Sequence, residues 1–171
     1  MDESLRIKLH EPRIELHDAW VVAGLRRQHG RTESVFAAME QQWRDFIQRF
    51  DDVPDRVNRK AYGVFFDMYS SAQEFTLLTG VEARREEGQP TDFHRFVIPR
   101  LRYAMFSHSE GVDRLRNTVW TVWEEWLPQS PYKSAADNVD IPEFIEVYGE
   151  DFNPETDTGT IEVWFPIRAG I

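Results

Sequence analysis

The sequence contains no cysteine. That absence excludes a disulfide framework, a thiolate nucleophile and thiolate-held zinc or iron–sulfur centres, and it fits a reducing compartment. Long apolar runs are also missing. Nowhere do about eighteen consecutive apolar residues occur, and the N-terminal MDESLRIKLHEPR lacks the apolar core of a signal peptide, so a cytoplasmic location is expected. Positive charge is scarce: 20 Lys and Arg stand against 30 Asp and Glu, a formal net charge of −10. Such a surface argues against nucleic acid, whose phosphates need concentrated positive charge. Arg95, Arg100 and Arg102 do cluster, but between apolar residues they read as one solvated strand face. There is no glycine-rich phosphate loop, no G-x-S-x-G elbow and no dinucleotide fingerprint. The five histidines, at 10, 17, 29, 94 and 108, show no metal-ligand spacing, and the acids of residues 150–157 lack the alternation of a calcium loop. Neither a metal nor a cofactor is expected.

What is present is a chain of 171 residues, 41% hydrophobic and 13% aromatic, enough for one domain over residues 1–171 with a sizeable core. Residues 15–27 (ELHDAWVVAGLRR) read as a long first strand. Residues 34–50 place Val35, Phe36, Met39, Trp43, Phe46, Ile47 and Phe50 on about a third of a helical wheel. Strands follow at 61–67 and 74–83. The charged segment RREEGQPTD, residues 84–92, is broken by Gly88 and Pro90 and reads as a linker. Beyond it the order repeats: a strand over 93–108 interrupted or bulged at Pro99, a helix over 112–127 carrying Trp120, Trp123 and Trp126, and a hairpin. The expected fold is α+β: two strand-helix-strand-strand repeats, about 14–83 and 93–168, related by a pseudo-twofold, with antiparallel sheets, two helices and a central cleft. Neither half alone buries both faces of its sheet, and junctions of this kind are where small ligands bind.

The hairpin carries the chemistry. In FIEVY, residues 144–148, alternation puts Phe144, Glu146 and Tyr148 on one face, so a carboxylate is flanked by two rings. A charge centred on an apolar strand needs water, a partner or a ligand. In the register this reading favours, Val64 and Phe66 of the first half take the places of Glu146 and Tyr148. Trp123, nearest the centre of its helical arc, is the best cleft candidate among the tryptophans; Phe66 and Tyr69 are contributors from the other half and Trp20 a weaker one. Tyr103 and Phe106 read as core.

The run IPRLRYAMFSHSEG, the helix end WEEWLPQSPY, then PEFIEVY and the closing TIEVWFPI resemble the GyrI-like small-molecule-binding domain, with YGVFFD and FTLLTGVEA extending the likeness into the first half. That family includes effector-binding domains of AraC-type and MerR-type multidrug-sensing regulators and the freestanding gyrase-inhibitory protein. The resemblance implies a cleft that takes aromatic or hydrophobic, often cationic, compounds, with a family glutamate matching Glu146. With Tyr148, Trp123, Phe66 and Tyr69 from the residue pattern, the expected ligand-binding residues are therefore five, Glu146 among them, and the expected partner is a small molecule, charge and the lack of apolar runs arguing against nucleic acid and membrane. The chain length leaves no room for a helix-turn-helix beside the domain, so direct transcriptional control is not expected. Two further readings follow from the resemblance: a hydrolase of electrophilic cyclopropane-bearing compounds with Glu146 as general base, and an inhibitory protein that contacts gyrase.

Overall fold

The computed structural model describes residues 3–71, 73–137 and 140–170. Among the described residues there are nine strands: β1 (Arg13–His17), β2 (Trp20–Gly30), β3 (Ala61–Phe66), β4 (Glu74–Ala83), β5 (His94–Ile98), β6 (Leu101–His108), β7 (Tyr132–Ser134), β8 (Phe144–Tyr148) and β9 (Ile161–Ala169). Helix α1 (Val35–Ile47) joins β2 to β3, and α2 (Leu115–Thr121) follows β6. α2 continues through a π-helical stretch, Val122–Trp126, into a last turn, Leu127–Gln129. All pairings are antiparallel, in the order β1-β6-β9-β8-β3-β4-β2-β5, with β7 on the far end of β9. The fold is α+β, as the sequence led us to expect.

The order reads symmetrically about the β3–β8 seam. β8 answers to β3, β9 to β4, β6 to β2 and β1 to β5. The outermost strands are exchanged: β1 pairs with β6, and β5 pairs with β2. Each exchange needs a break in what the sequence presents as one strand. The expected strand over 15–27 is two, interrupted at Asp18–Ala19, where the His17 ring bonds the Asp18 carbonyl at 2.8 Å. The expected strand over 93–108 parts at Pro99–Arg100, where proline has no N–H for the ladder.

Arg95 corrects a second expectation. Its side chain is only 5% exposed and grips Asp55 through two hydrogen bonds of 3.0 Å, fastening β5 to the loop after α1. That hydrogen-bonded guanidinium draws the Asp55 carboxyl down to about 2 despite its burial. Arg100 and Arg102 are exposed, as expected.

Both helices lie on one face of the sheet, over a core that includes Phe65, Phe106, Phe144, Val163 and Phe165. The other face buries Trp20, Tyr62, Val64, Tyr103, Ile145 and Trp164. Trp20 on β2 and Trp164 on β9 are four strand steps apart, about 19 Å in a flat sheet, yet their ring centroids are 6.0 Å apart. The sheet therefore curls around this second core. α1 is set by a buried polar clamp: the Gln42 amide donates to the Leu25 and Leu77 carbonyls at 2.9 and 2.7 Å, and its oxygen lies 2.6 Å from His29 Nε2. With Gln42 facing the sheet, Met39 and Trp43 on the adjoining stripe face the seam.

Candidate functional site

Across the β3–β8 ladder, Glu146 stands opposite Gly63 and Ile145 opposite Val64. Opposed residues share a face, so Val64 and Phe66 point away from Glu146; the expected register was off by one, which turns every side chain over. Gly63 matters for its missing side chain: a Cβ there would lie 3.0 Å from the Trp43 ring and 3.4 Å from Glu146 Oε1. The space thus left lets the carboxylate and the indole meet over the seam.

The result is a cleft of about 460 Å³ between α1 and the start of α2, with the seam as its floor. Phe65, Phe144, Glu146 and Tyr148 form that floor. Phe65 and Phe144 stack across the seam at 4.4 Å, and the Trp43 edge meets the Tyr148 ring at 5.1 Å. Met39 and Trp43 wall one side, Leu115 and Val119 the other, and Phe36, 54% exposed, stands at the mouth with the Arg116 guanidinium 5.5 Å above its ring.

Glu146 is half-buried and accepts a hydrogen bond from the Tyr148 hydroxyl at 2.9 Å. Desolvation raises its pKa to about 7, and the Tyr148 hydrogen bond offsets only part of that rise. Tyr148 is itself pushed well above the usual phenol range, by burial first and by the neighbouring carboxylate second. No cationic side chain among the described residues pairs with Glu146. The cleft is therefore largely ring-lined and apolar, with the Glu146 carboxyl on its floor and Glu40, Asp113 and Arg116 also in its lining.

Glu146, Tyr148 and Tyr69 line this cleft together. Trp123 stands one layer back, stacked on the Tyr69 ring at 4.8 Å and tilted against Phe165 at 6.4 Å. Phe66 lies on the opposite face, edge-on to Phe96 at 5.0 Å, and Phe65 occupies the place assigned to it. Trp20 is in the far core with Tyr103, while Phe106 lies under the helices against Trp126. Sequence reasoning missed Trp43, which it counted only as part of the apolar arc of α1; one glycine directly opposite the glutamate would have been the signal.

The loop after β3 is tied down by a second carboxylate. Glu143, 4% exposed, accepts hydrogen bonds from the backbone N–H groups of Tyr69 at 2.8 Å and Ser70 at 3.1 Å. Burial raises its pKa and these donors oppose the rise. The Tyr69 ring thereby takes its fixed place in the wall.

The family model of Cass2, described as an integron-associated effector binding protein, matches residues 13–167. This chain belongs to that family. It is an effector-binding domain of the GyrI-like kind, and small-molecule binding is its general function. No curated protein sequence matches it. Among solved structures, the chain is similar to SAV2435 bound to tetraphenylphosphonium, at 12% identity and a TM-score of 0.72, covering 93% of this chain and 94% of that one. The integron cassette protein VCH_CASS2 from the mobile metagenome of Vibrio cholerae matches at 14% identity and a TM-score of 0.64, over 94% and 97% of the two chains. The C-terminal domain of EcmrR matches at 12% identity and 0.64, over 95% and 99%. At these identities the likeness is one of fold. Among the described residues no helix is long and apolar enough to cross a membrane.

Proposed function

We propose that the cleft over the β3–β8 seam binds an aromatic organic cation, with Glu146 as its counter-charge and Trp43, Tyr69 and Tyr148 as ring contacts. The observation that carries this reading is the carboxylate at the foot of a ring-lined cavity, with no cationic side chain among the described residues paired to it. Burying an unpaired charge is costly, and an arriving cation relieves that cost while ring faces add about 0.5–2 kcal/mol each. The presence of tetraphenylphosphonium in SAV2435, a structural neighbour, supports the same ligand class. Titration of the protein with tetraphenylphosphonium, followed by tryptophan fluorescence and calorimetry, should give saturable one-to-one binding that Glu146→Gln weakens and Glu155→Gln, in the exposed hairpin loop, does not. Equal affinity of the wild type and Glu146→Gln would refute the assignment.

A catalytic reading draws on one observation: a carboxyl group with a pKa of about 7 is half ionised at neutral pH and suited to general-base work. Incubation with an electrophilic cyclopropane-bearing compound separates the two readings, since an enzyme releases many product molecules per chain and a receptor none. None of the comparisons points to a gyrase partner.

A further inference from the structure

The cleft does not end at Tyr148. Beyond that ring a second hollow of about 670 Å³ opens, and Glu40, Trp43, Val112 and Tyr148 line both spaces. Its own aromatic walls are Phe152 and Phe50, and the Phe50 ring already carries the Arg56 and Arg59 guanidinium groups at 5.6 and 5.2 Å. Phe152 sits 4.9 Å from the Tyr148 ring, so Tyr148 stands between the two chambers as a shared partition.

The loop that presents Phe152 is a built structure. The Asp151 carboxylate accepts from the Thr160 backbone N–H and hydroxyl at 3.1 and 2.9 Å, and the Asn153 N–H donates to the Thr158 carbonyl at 2.7 Å. Gly159 closes the loop at a φ of 130°, where a Cβ would fall 2.5 Å from the Phe152 Cα. Only glycine permits both that backbone conformation and that approach.

The charge of the second chamber is lopsided. Four carboxylates, Glu40, Asp51, Glu150 and Asp157, face it against two guanidinium groups, Arg44 and Arg59. Arg44 lies 3.7 Å from Glu40 and Arg59 lies 3.2 Å from Asp51. Glu150 accepts from the Arg59 backbone N–H at 3.0 Å. Asp157 has no ion-pair partner among the described residues, and its charge reaches Tyr148. One chamber thus offers the half-buried Glu146 among rings, and the next offers the exposed Asp157 carboxylate in a hollow that Phe152 also lines.

We propose that the two chambers form one elongated site for dications, in which one aromatic cationic head rests on Glu146 and a second, carried on a flexible chain past Tyr148, rests against Phe152 with Asp157 as counter-charge. The inference rests on the reading of Glu146 given above. Tethering makes the second contact intramolecular, so its benefit appears only once the chain is long enough to span the partition.

The test compares bis(triphenylphosphonium) alkanes of increasing chain length with alkyltriphenylphosphonium ions of matching length, which carry the same chain but one head. Calorimetric titration should show a dication advantage that is absent at short lengths and reaches about tenfold at the spanning length. Asp157→Asn and Phe152→Leu should each remove most of that advantage while leaving tetraphenylphosphonium affinity within about twofold, with circular dichroism and thermal melting confirming the fold. A dication no tighter than its one-headed match at every length, or an advantage that survives both substitutions, would overturn the proposal. Tight tetraphenylphosphonium binding without a dication advantage removes only the second head. No tetraphenylphosphonium binding at all removes the Glu146 reading and this one with it.

Discussion

Glu143 and Glu146 lie three residues apart at the same end of the molecule, and the protein treats them in opposite ways. Glu143 is almost fully buried and receives two backbone N–H donors, so its carboxylate is repaid inside the fold and fixes the loop that carries Tyr69. Glu146 keeps some exposure and receives one phenol hydroxyl, far less than a buried carboxylate requires. Burial raises both pKa values and each glutamate borders a hollow, but both Glu143 oxygens are already taken by backbone N–H donors, whereas Glu146 has only the Tyr148 hydroxyl. The saturated carboxylate serves as structure; the proposed counter-charge role falls to the unsaturated one on the floor of the ring-lined cleft.

Substitutions that break this contrast should act in opposite directions. The largest effect is expected from Glu146→Gln, which should cut tetraphenylphosphonium affinity by about 30-fold or more, about 2 kcal/mol or above, because it removes a partly desolvated counter-charge. The same change should stabilise the empty protein at pH 8. A pKa raised from 4.5 to about 7 means that the folded state holds more protons than the unfolded state between those values, so stability is fully present below pH 4.5 and lost as pH rises through 7. By this linkage the ionised Glu146 costs about 3 kcal/mol above pH 8, and denaturant unfolding should find Glu146→Gln more stable there and not at pH 4. Glu143→Gln should do the reverse, lowering stability by about 1–3 kcal/mol by replacing one acceptor oxygen with a donor against a backbone N–H. Its ligand affinity should fall only through the loosened Tyr69 wall, visible as a weaker fluorescence change of Trp123. Gly63→Ala should have the smallest effect on stability, about 1 kcal/mol, because Trp43 must yield to a Cβ 3.0 Å away, and it should reduce affinity for bulky cations more than for small ones.

Much of the fold was legible because local signals agreed. The expected strand over 74–83 coincides with β4 and that over 144–148 with β8, and alternation about Glu146 located the floor of the cleft. The first half was harder for a physical reason. In AYGVFFD, Phe65 and Phe66 are adjacent and equally apolar, so nothing in the pattern says which one faces the helices, whereas the lone glutamate of FIEVY sets its own register. Pro99 marked one strand exchange, but Asp18–Ala19 marked the other with no glycine or proline, and it passed as continuous strand. The grip of Arg95 on Asp55 spans forty residues and leaves no local trace. Trp43 went unread because one helical arc serves both the core and the cleft.

The most direct test of the central claim is the pH dependence of tetraphenylphosphonium affinity in the wild type and in Glu146→Gln. Binding a cation favours the ionised carboxylate, so wild-type affinity should fall by about tenfold per pH unit below pH 7, level off above pH 8, and be accompanied by proton release near neutrality, while Glu146→Gln stays flat. A flat wild-type profile, or a slope that persists in Glu146→Gln, would contradict the account.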